Sequence, residues 1–320
     1  MTPDAGDEDD AGMTYRALPA TAMPEQLDGK GGTTSSEQRA RLGHFSVFVA
    51  LLVYALCVSL GKVNVNNNTV FFIERDPAIS FPYKSSQVPV SMLEGIAIGV
   101  PLAFIAICTL FFLKYKQAKS LYVLGNTSYY LIFSLAQCLL GTDAVTNTIK
   151  VLVLRPRPNF LAYCNYKGYY DAMQSGNYSA YNHATTAGVV GSTANCLSQS
   201  HFPDAVLSFP SGHSSTSWAG MTFISLLLKY AIEQHEPFRL LSWHGAVFIA
   251  PLYLSAWVSI TRIQDYYHHE SDCMMGAFIG ATTSFYVFKA VTHLLDTYCC
   301  QKRGGEGKRS DAAGTDKLPA

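Results

Sequence analysis

Three short clusters hold the side chains of this chain best suited to chemistry. The first is Lys150-x6-Arg157-Pro158, the second Ser208-Phe-Pro-Ser-Gly-His213, and the third Arg262-x5-His268-x3-Asp272. In the second cluster, Pro210-Ser211-Gly212-His213 is a turn that runs into an apolar stretch at 218–232 with helical character. Hydroxyls before such a stretch are good N-caps. The unpaired N–H groups of a helix start attract anions. A histidine placed there trades protons near neutral pH. His268 and Asp272 are four residues apart, so one helical turn sets both on one face. There the carboxylate can hold the imidazole in one tautomer. Lysine and arginine near a membrane end are ordinarily snorkelling anchors. Here Pro156 and Pro158 stop the helix beside Arg157 and fix where the cations lie.

The elements that carry these clusters are apolar. Charged residues make up 14% of the 320 positions, against about 25% in ordinary soluble domains. Formal net charge is zero, which gives no electrostatic reason to expect a nucleic-acid partner. Residues 1–43 are polar and acidic, do not read as a cleavable leader, and are expected to be a disordered cytosolic tail. Residues 299–320 are expected to be a second one. Between them, 44–298 reads as one all-α, polytopic membrane domain. A spanning helix needs about 20 mostly apolar residues, and six stretches qualify or nearly so: 44–60, 92–112, 121–154, 218–232, 243–260 and 274–295. The third carries Asn126, Gln137, Thr142 and Asp143, so it is expected to face the interior of the bundle.

With six spans, both tails lie on one side, together with Lys114, Lys116, Lys119 and Lys229; this side is expected to be cytoplasmic. The three clusters then fall at span ends on the opposite, extracellular or lumenal face. Sequons at Asn67 and Asn177 lie in loops on that face, where glycosylation is expected. Cys164 and Cys196 share the long loop there; in an oxidising compartment they can pair, and two free thiols are the alternative.

Lys150, Arg157 and Arg262 as fixed cations, a helix N-terminus and two histidines describe a phosphate site with a nucleophile and an acid. A metal held by His268, His269 and Asp272 would lack a fourth ligand and would face three cations. At ten specified positions, in order and at matching spacing, the clusters resemble the signature blocks of the type 2 phosphatidic acid phosphatase superfamily, whose membrane branch contains the lipid phosphate phosphatases. The resemblance covers about 44–298; one departure is Thr261, where the family often has Ser. It implies that His268 is the nucleophile and forms a phosphohistidine, that Asp272 orients it, and that His213 is the acid and then the base. Lys150, Arg157, Ser211, Gly212 and Arg262 would hold the phosphate.

It further implies hydrolysis of lipid phosphates such as phosphatidic acid, lysophosphatidic acid, diacylglycerol pyrophosphate or sphingoid phosphates, with no cofactor and no metal. The enzyme would sit in the plasma membrane or an endomembrane, with the bilayer and its lipids as partners and homo-oligomerisation left open. A polyprenyl diphosphate phosphatase of the same superfamily is the alternative, as is a catalytically silent relative; silent members are expected to lose the histidines or the lysine.

Overall fold

The computed structural model describes residues 35–62, 70–114, 121–198, 200–233 and 244–299. The sequon at Asn67 and both chain ends lie outside these residues. Helix α1 (Ser35–Lys62) starts upstream of the boundary expected at 43, because the polar run 35–41 is helical too. Next comes α2 (Val90–Glu94), a π turn at Gly95–Gly99, and α3 (Val100–Lys114). The π turn meets Pro101, whose missing N–H cannot bond the carbonyl of Ala97 four residues earlier. Helix α4 (Leu121–Val153) is long and unbroken. Four short helices follow: α5 (Phe160–Tyr163), α6 (Tyr169–Ser175), α7 (Ser179–Ala184) and α8 (Phe202–Ala205). The last three are long: α9 (Gly212–Glu233), α10 (His244–Gln264) and α11 (Glu270–Cys299). Among the described residues, β-pairing is confined to two isolated bridges.

Among the described residues, three helical segments are long and apolar enough to cross a membrane: 90–110, 245–264 and 270–293. A shorter apolar helix covers Arg41–Cys57. Helices α4 and α9 are not among these segments, and both bury polar side chains. Ser134, Gln137, Thr142, Thr146 and Asn147 of α4 are buried, as are Ser214, Ser215, Ser217 and Ser225 of α9. Of the four residues of the third stretch expected to face inward, Gln137 and Thr142 are buried and Asp143 is half-buried, while the Asn126 side chain lies outside the described residues. The outward faces elsewhere are apolar, with Ile107, Leu110, Tyr253, Phe278 and Tyr286 more than 60% exposed, the pattern of a lipid-facing surface.

Helix α9 is the hub, packing against α3, α4, α10 and α11. Small residues permit this. A Cβ at Gly220 would collide with the carbonyl of Ala97, one at Gly280 with the carbonyl of Ser215, and one at Gly276 would come within 2.6 Å of the Ser211 carbonyl. The Gly276-x3-Gly280 spacing on α11 therefore seats it backbone to backbone on the start of α9. A second, smaller core lies in the segments between the long helices, where Phe72, Phe160, Tyr166 and Phe202 pack together. It is tied by a disulfide between Cys164 and Cys196. Glu74 accepts hydrogen bonds there from the Tyr166 hydroxyl (2.6 Å), Lys167 Nζ (2.6 Å) and the Thr186 N–H (2.8 Å).

Candidate active site

Lys150 is the fourth residue from the end of α4, where Leu154 adopts a left-handed conformation (φ 49°) and turns the chain back. Lys150 Nζ donates to the Leu207 carbonyl at 2.5 Å. Arg157 donates from Nε to the Asp204 carbonyl and from Nη2 to the Asp204 carboxylate, both at 2.7 Å. Its own N–H bonds the Ala205 carbonyl at 2.9 Å. The first cluster is thus docked on residues 204–207, the approach to the second.

The turn at 208–213 contains a cis Phe209–Pro210 peptide and leads directly into α9. Ser211 is fully buried, and its N–H donates to the main-chain carbonyl of Asp272 at 3.0 Å. Gly212 opens the helix, with its position facing the Lys150 side chain. His213 places Nε2 3.1 Å from the Val88 carbonyl. A carbonyl can only accept, so Nε2 carries the proton and Nδ1 is left for exchange.

The third cluster closes the ring. Arg262 is 1% exposed and lies near the end of α10. It donates to the Ser86 hydroxyl (2.8 Å), the Thr261 hydroxyl (3.2 Å) and the Asp265 carboxylate (3.1 Å). The Thr261 hydroxyl thus contacts the Arg262 guanidinium directly. Asp265 is held in turn by the Gln87 N–H at 2.8 Å and the Gln87 side chain at 2.6 Å. Tyr267 lies under both guanidiniums, 5.4 Å from that of Arg157 and 5.8 Å from that of Arg262, and so joins the first cluster to the third. Tyr266 before it has φ 60°, a left-handed conformation that a bulky side chain adopts only when its surroundings impose it. Those surroundings are the Asn159 N–H on its carbonyl and the Phe81 ring stacked at 4.7 Å.

His268 is buried in the loop between α10 and α11, with Nδ1 2.8 Å from the Ser208 carbonyl. That bond makes Nδ1 the protonated nitrogen and leaves the lone pair on Nε2. The pairing differs from the one expected. Asp272 is 3.8 Å from His268 Nδ1, too far for a hydrogen bond. Its Oδ2 instead accepts from the Ser208 hydroxyl (2.6 Å) and the His269 N–H (2.9 Å), and its Oδ1 accepts from Arg155 (2.7 Å). Asp272 reaches His268 mainly through Ser208. His269 directs Nε2 at the Pro156 carbonyl (3.3 Å) and packs beside the cluster.

Burial pushes the His268 imidazole down to about 3; Arg157 and Lys150 push the same way, while Asp272 pulls against them. The ring is therefore neutral at physiological pH. An unfolded chain protonates the same residue near pH 6.5. Between those values the unfolded state binds the extra proton, so stability contributed by this group is full above about pH 6.5 and falls as pH drops toward about 3. In detergent, thermal unfolding of the protein should show this acid-side loss. A His268→Gln variant should show a shallower slope over that window, and equal slopes would contradict the buried neutral imidazole.

Burial alone would raise the Asp204 carboxyl, but the charges of Arg157 and Lys150 outweigh it and hold it below the usual range. At neutral pH Asp204 is an anion at the rim of a cationic site.

Every residue of the three clusters thus belongs to one interlocked neighbourhood at the ends of α4, α9, α10 and α11. Asn177 is exposed, between α6 and α7. Sequence reasoning passed over Arg155, Asp204, Ser208 and Asp265 as site members. Ser208 and Asp265 are buried; Ser208 stood in the second cluster as a cap, and Asp265 three residues after Arg262 was its one legible signal.

A helical protein with membrane-length apolar segments and an arginine- and histidine-rich polar centre at helix ends is the class defined by fold and site. The PAP2 superfamily profile matches residues 129–295, a span that includes all three clusters. The chain belongs to the PAP2 superfamily. It is 30% identical over 248 residues to lipid phosphate phosphatase 1 of Arabidopsis thaliana, covering 75% of this chain and 65% of that protein. Probable diacylglycerol pyrophosphate phosphatase 1 of Schizosaccharomyces pombe is 27% identical over 255 residues, 79% of this chain and 82% of that one. Phospholipid phosphatase 1 of Rattus norvegicus is 29% identical over 234 residues, 69% and 75% of the two chains. No solved structure matches the chain.

Proposed function

We propose that the protein is a lipid phosphate phosphatase that hydrolyses phosphate monoesters of membrane lipids through a phosphohistidine on His268. One observation carries this reading above the rest. His268 is neutral, with its proton fixed on Nδ1 by the Ser208 carbonyl, beside a set of buried cations. A neutral imidazole with Nε2 available is a nucleophile that needs no prior deprotonation.

In the first step Nε2 of His268 attacks phosphorus and the bond to the lipid oxygen breaks. His213, whose Nε2–H stays on the Val88 carbonyl, takes up the proton of the substrate's phosphate monoanion on Nδ1 and passes it to the departing alkoxide. In the second step His213 Nδ1 takes a proton from water, the hydroxide displaces phosphate from His268, and the imidazole is restored. Lys150, Arg157 and Arg262, with the Ser211 hydroxyl and the Gly212 N–H, stabilise the charge that builds on the phosphoryl oxygens. The Ser211 N–H is committed to Asp272 and takes no part.

In this proposal α1, the α2–α3 segment, α4, α9, α10 and α11 are six spans. The tails are cytoplasmic, and the site opens to the lumen or the outside of a plasma membrane or endomembrane. Asn177 is then a glycan acceptor on the side of the site, and Asn67 a second. Substrates are phosphatidic acid and its relatives; the relatives named as lipid phosphate and diacylglycerol pyrophosphate phosphatases favour this class.

The test is a panel of phosphatidic acid, lysophosphatidic acid, diacylglycerol pyrophosphate, a sphingoid phosphate and a polyprenyl diphosphate in mixed micelles, with and without EDTA. Phosphate release from the glycerolipid or sphingoid substrates is expected, and within about twofold of its rate when EDTA is in excess, since protein cations supply the charge stabilisation. Exclusive turnover of the polyprenyl diphosphate would move the protein to another branch. Silence towards every substrate would refute the activity.

A further inference from the structure

Arg155 lies in the spacer of the first cluster, where sequence reasoning assigned it no role, yet it touches the other two. Its Nη1 donates to Asp272 Oδ1 and to the Ser271 hydroxyl, both at 2.7 Å. Its main-chain carbonyl accepts the Ser208 N–H at 3.0 Å. The Ser208 hydroxyl donates to the other oxygen of Asp272 at 2.6 Å, and the Ser208 carbonyl receives His268 Nδ1–H at 2.8 Å. The chain Arg155–Asp272–Ser208–His268 is continuous, and each link is a hydrogen bond of 2.6–2.8 Å. Asp272 is fully buried, whereas the Arg155 side chain is 36% exposed. Arg155 therefore neutralises the buried carboxylate from the solvent side. Lys150, Arg157 and Arg262 differ from it, because they are buried.

We infer that Arg155 is a positioning residue for the proposed phosphatase: by fixing the Asp272 carboxylate and the Ser208 main chain it sets the ring angle of His268, without touching substrate. The left-handed Leu154 that ends α4 is what turns Arg155 toward the start of α11 instead of continuing the helix. Charge at this point reaches the nucleophile only through geometry. Its loss should slow the chemical step and leave substrate binding alone.

This inference rests on the phosphatase reading and is tested in wild-type protein and in Arg155→Ala, Arg155→Lys, Ser208→Ala and the Arg155→Ala/Ser208→Ala double variant. For each, kcat and KM for phosphatidic acid in mixed micelles are measured beside the thermal midpoint. Arg155→Ala should lower kcat by about 100-fold, the scale of a small misplacement of a reacting group, with KM within about twofold. Arg155→Lys should recover a substantial part of kcat. The double variant should lose scarcely more than the worse single variant, because coupled residues are not additive. Wild type that releases no phosphate refutes the phosphatase reading itself. Active wild type with unchanged kcat in Arg155→Ala overturns the inference. So does a loss seen mainly in KM, a fall in thermal midpoint that accounts for the activity, or losses that multiply in the double variant. If Arg155→Ala does not accumulate as folded protein, Arg155→Lys and Arg155→Gln decide it by the same split of kcat from KM.

Discussion

Replacing His268 with alanine should eliminate phosphate release from phosphatidic acid, a loss of at least about 10,000-fold, the scale seen when a nucleophile is removed from a covalent mechanism. The size follows from the ring's position. His268 presents Nε2 beside the buried cations, whereas His269 aims its Nε2 at the Pro156 carbonyl and His213, held by the Val88 carbonyl at Nε2, is assigned the proton relay through Nδ1. Rapid quenching in base should trap a phosphoenzyme in wild type, stable there and lost in acid as a phosphorus–nitrogen bond requires, and none in His268→Ala. The folded fraction of the variant, judged by gel filtration in detergent, should match wild type, which separates chemistry from collapse. His213→Ala should behave differently, forming the phosphoenzyme slowly and most slowly with the poorest leaving groups, because it removes proton donation and leaves the attacking nitrogen intact. A His268→Ala protein that turns over at a tenth of the wild-type rate or more would refute the nucleophile assignment.

The three clusters were legible because charged and imidazole side chains are conspicuous against long apolar runs, and because each stands at the end of such a run. What escaped notice is held by groups with no residue signature. Leu207 and Val88 enter the site through their carbonyls, as does Ser208 towards His268. Main-chain acceptors are available at every position, and only the fold chooses among them. The direct His268–Asp272 pairing expected from i, i+4 spacing assumed a continuous helix through both residues. In the structure α11 begins at Glu270, so His268 lies before the first turn and Asp272 turns its oxygens to Ser208, His269 and Arg155. Hydropathy was least informative for α4 and α9, since an average over a window cannot tell a polar face turned to neighbouring helices from one turned to water. The serines of α9 lowered its apparent membrane character while marking its place at the centre of the bundle.

That central packing sets the other large effect. Gly280 sits where a Cβ would overlap the Ser215 carbonyl and stand 2.8 Å from the Ala219 nitrogen, both of them main-chain atoms of α9. Neither can swing aside as a side-chain tip would, so any larger residue must push α11 away from α9. Overpacking of a tight core costs about 1–3 kcal/mol even where rotamers can adjust. Gly280→Ala should reach that range, and Gly280→Leu should leave little folded protein. The consequence for function is specific, because α9 presents Gly212 and His213 while α11 presents Asp272, and the Ser211–Asp272 main-chain bond joins the two. Separation of the helices should thus abolish activity before the rest of the bundle melts. Gly280→Ala should show a kcat loss at temperatures where its unfolding signal is still flat. The control is Gly245→Ala near the start of α10, where nothing lies within 4 Å of the new methyl group. There alanine should be neutral or stabilising by up to about 1 kcal/mol, through the lower flexibility of the unfolded chain. A Gly280→Leu protein with wild-type melting temperature and turnover would show that α9 and α11 do not meet backbone to backbone, and the alignment of the three clusters would need another cause.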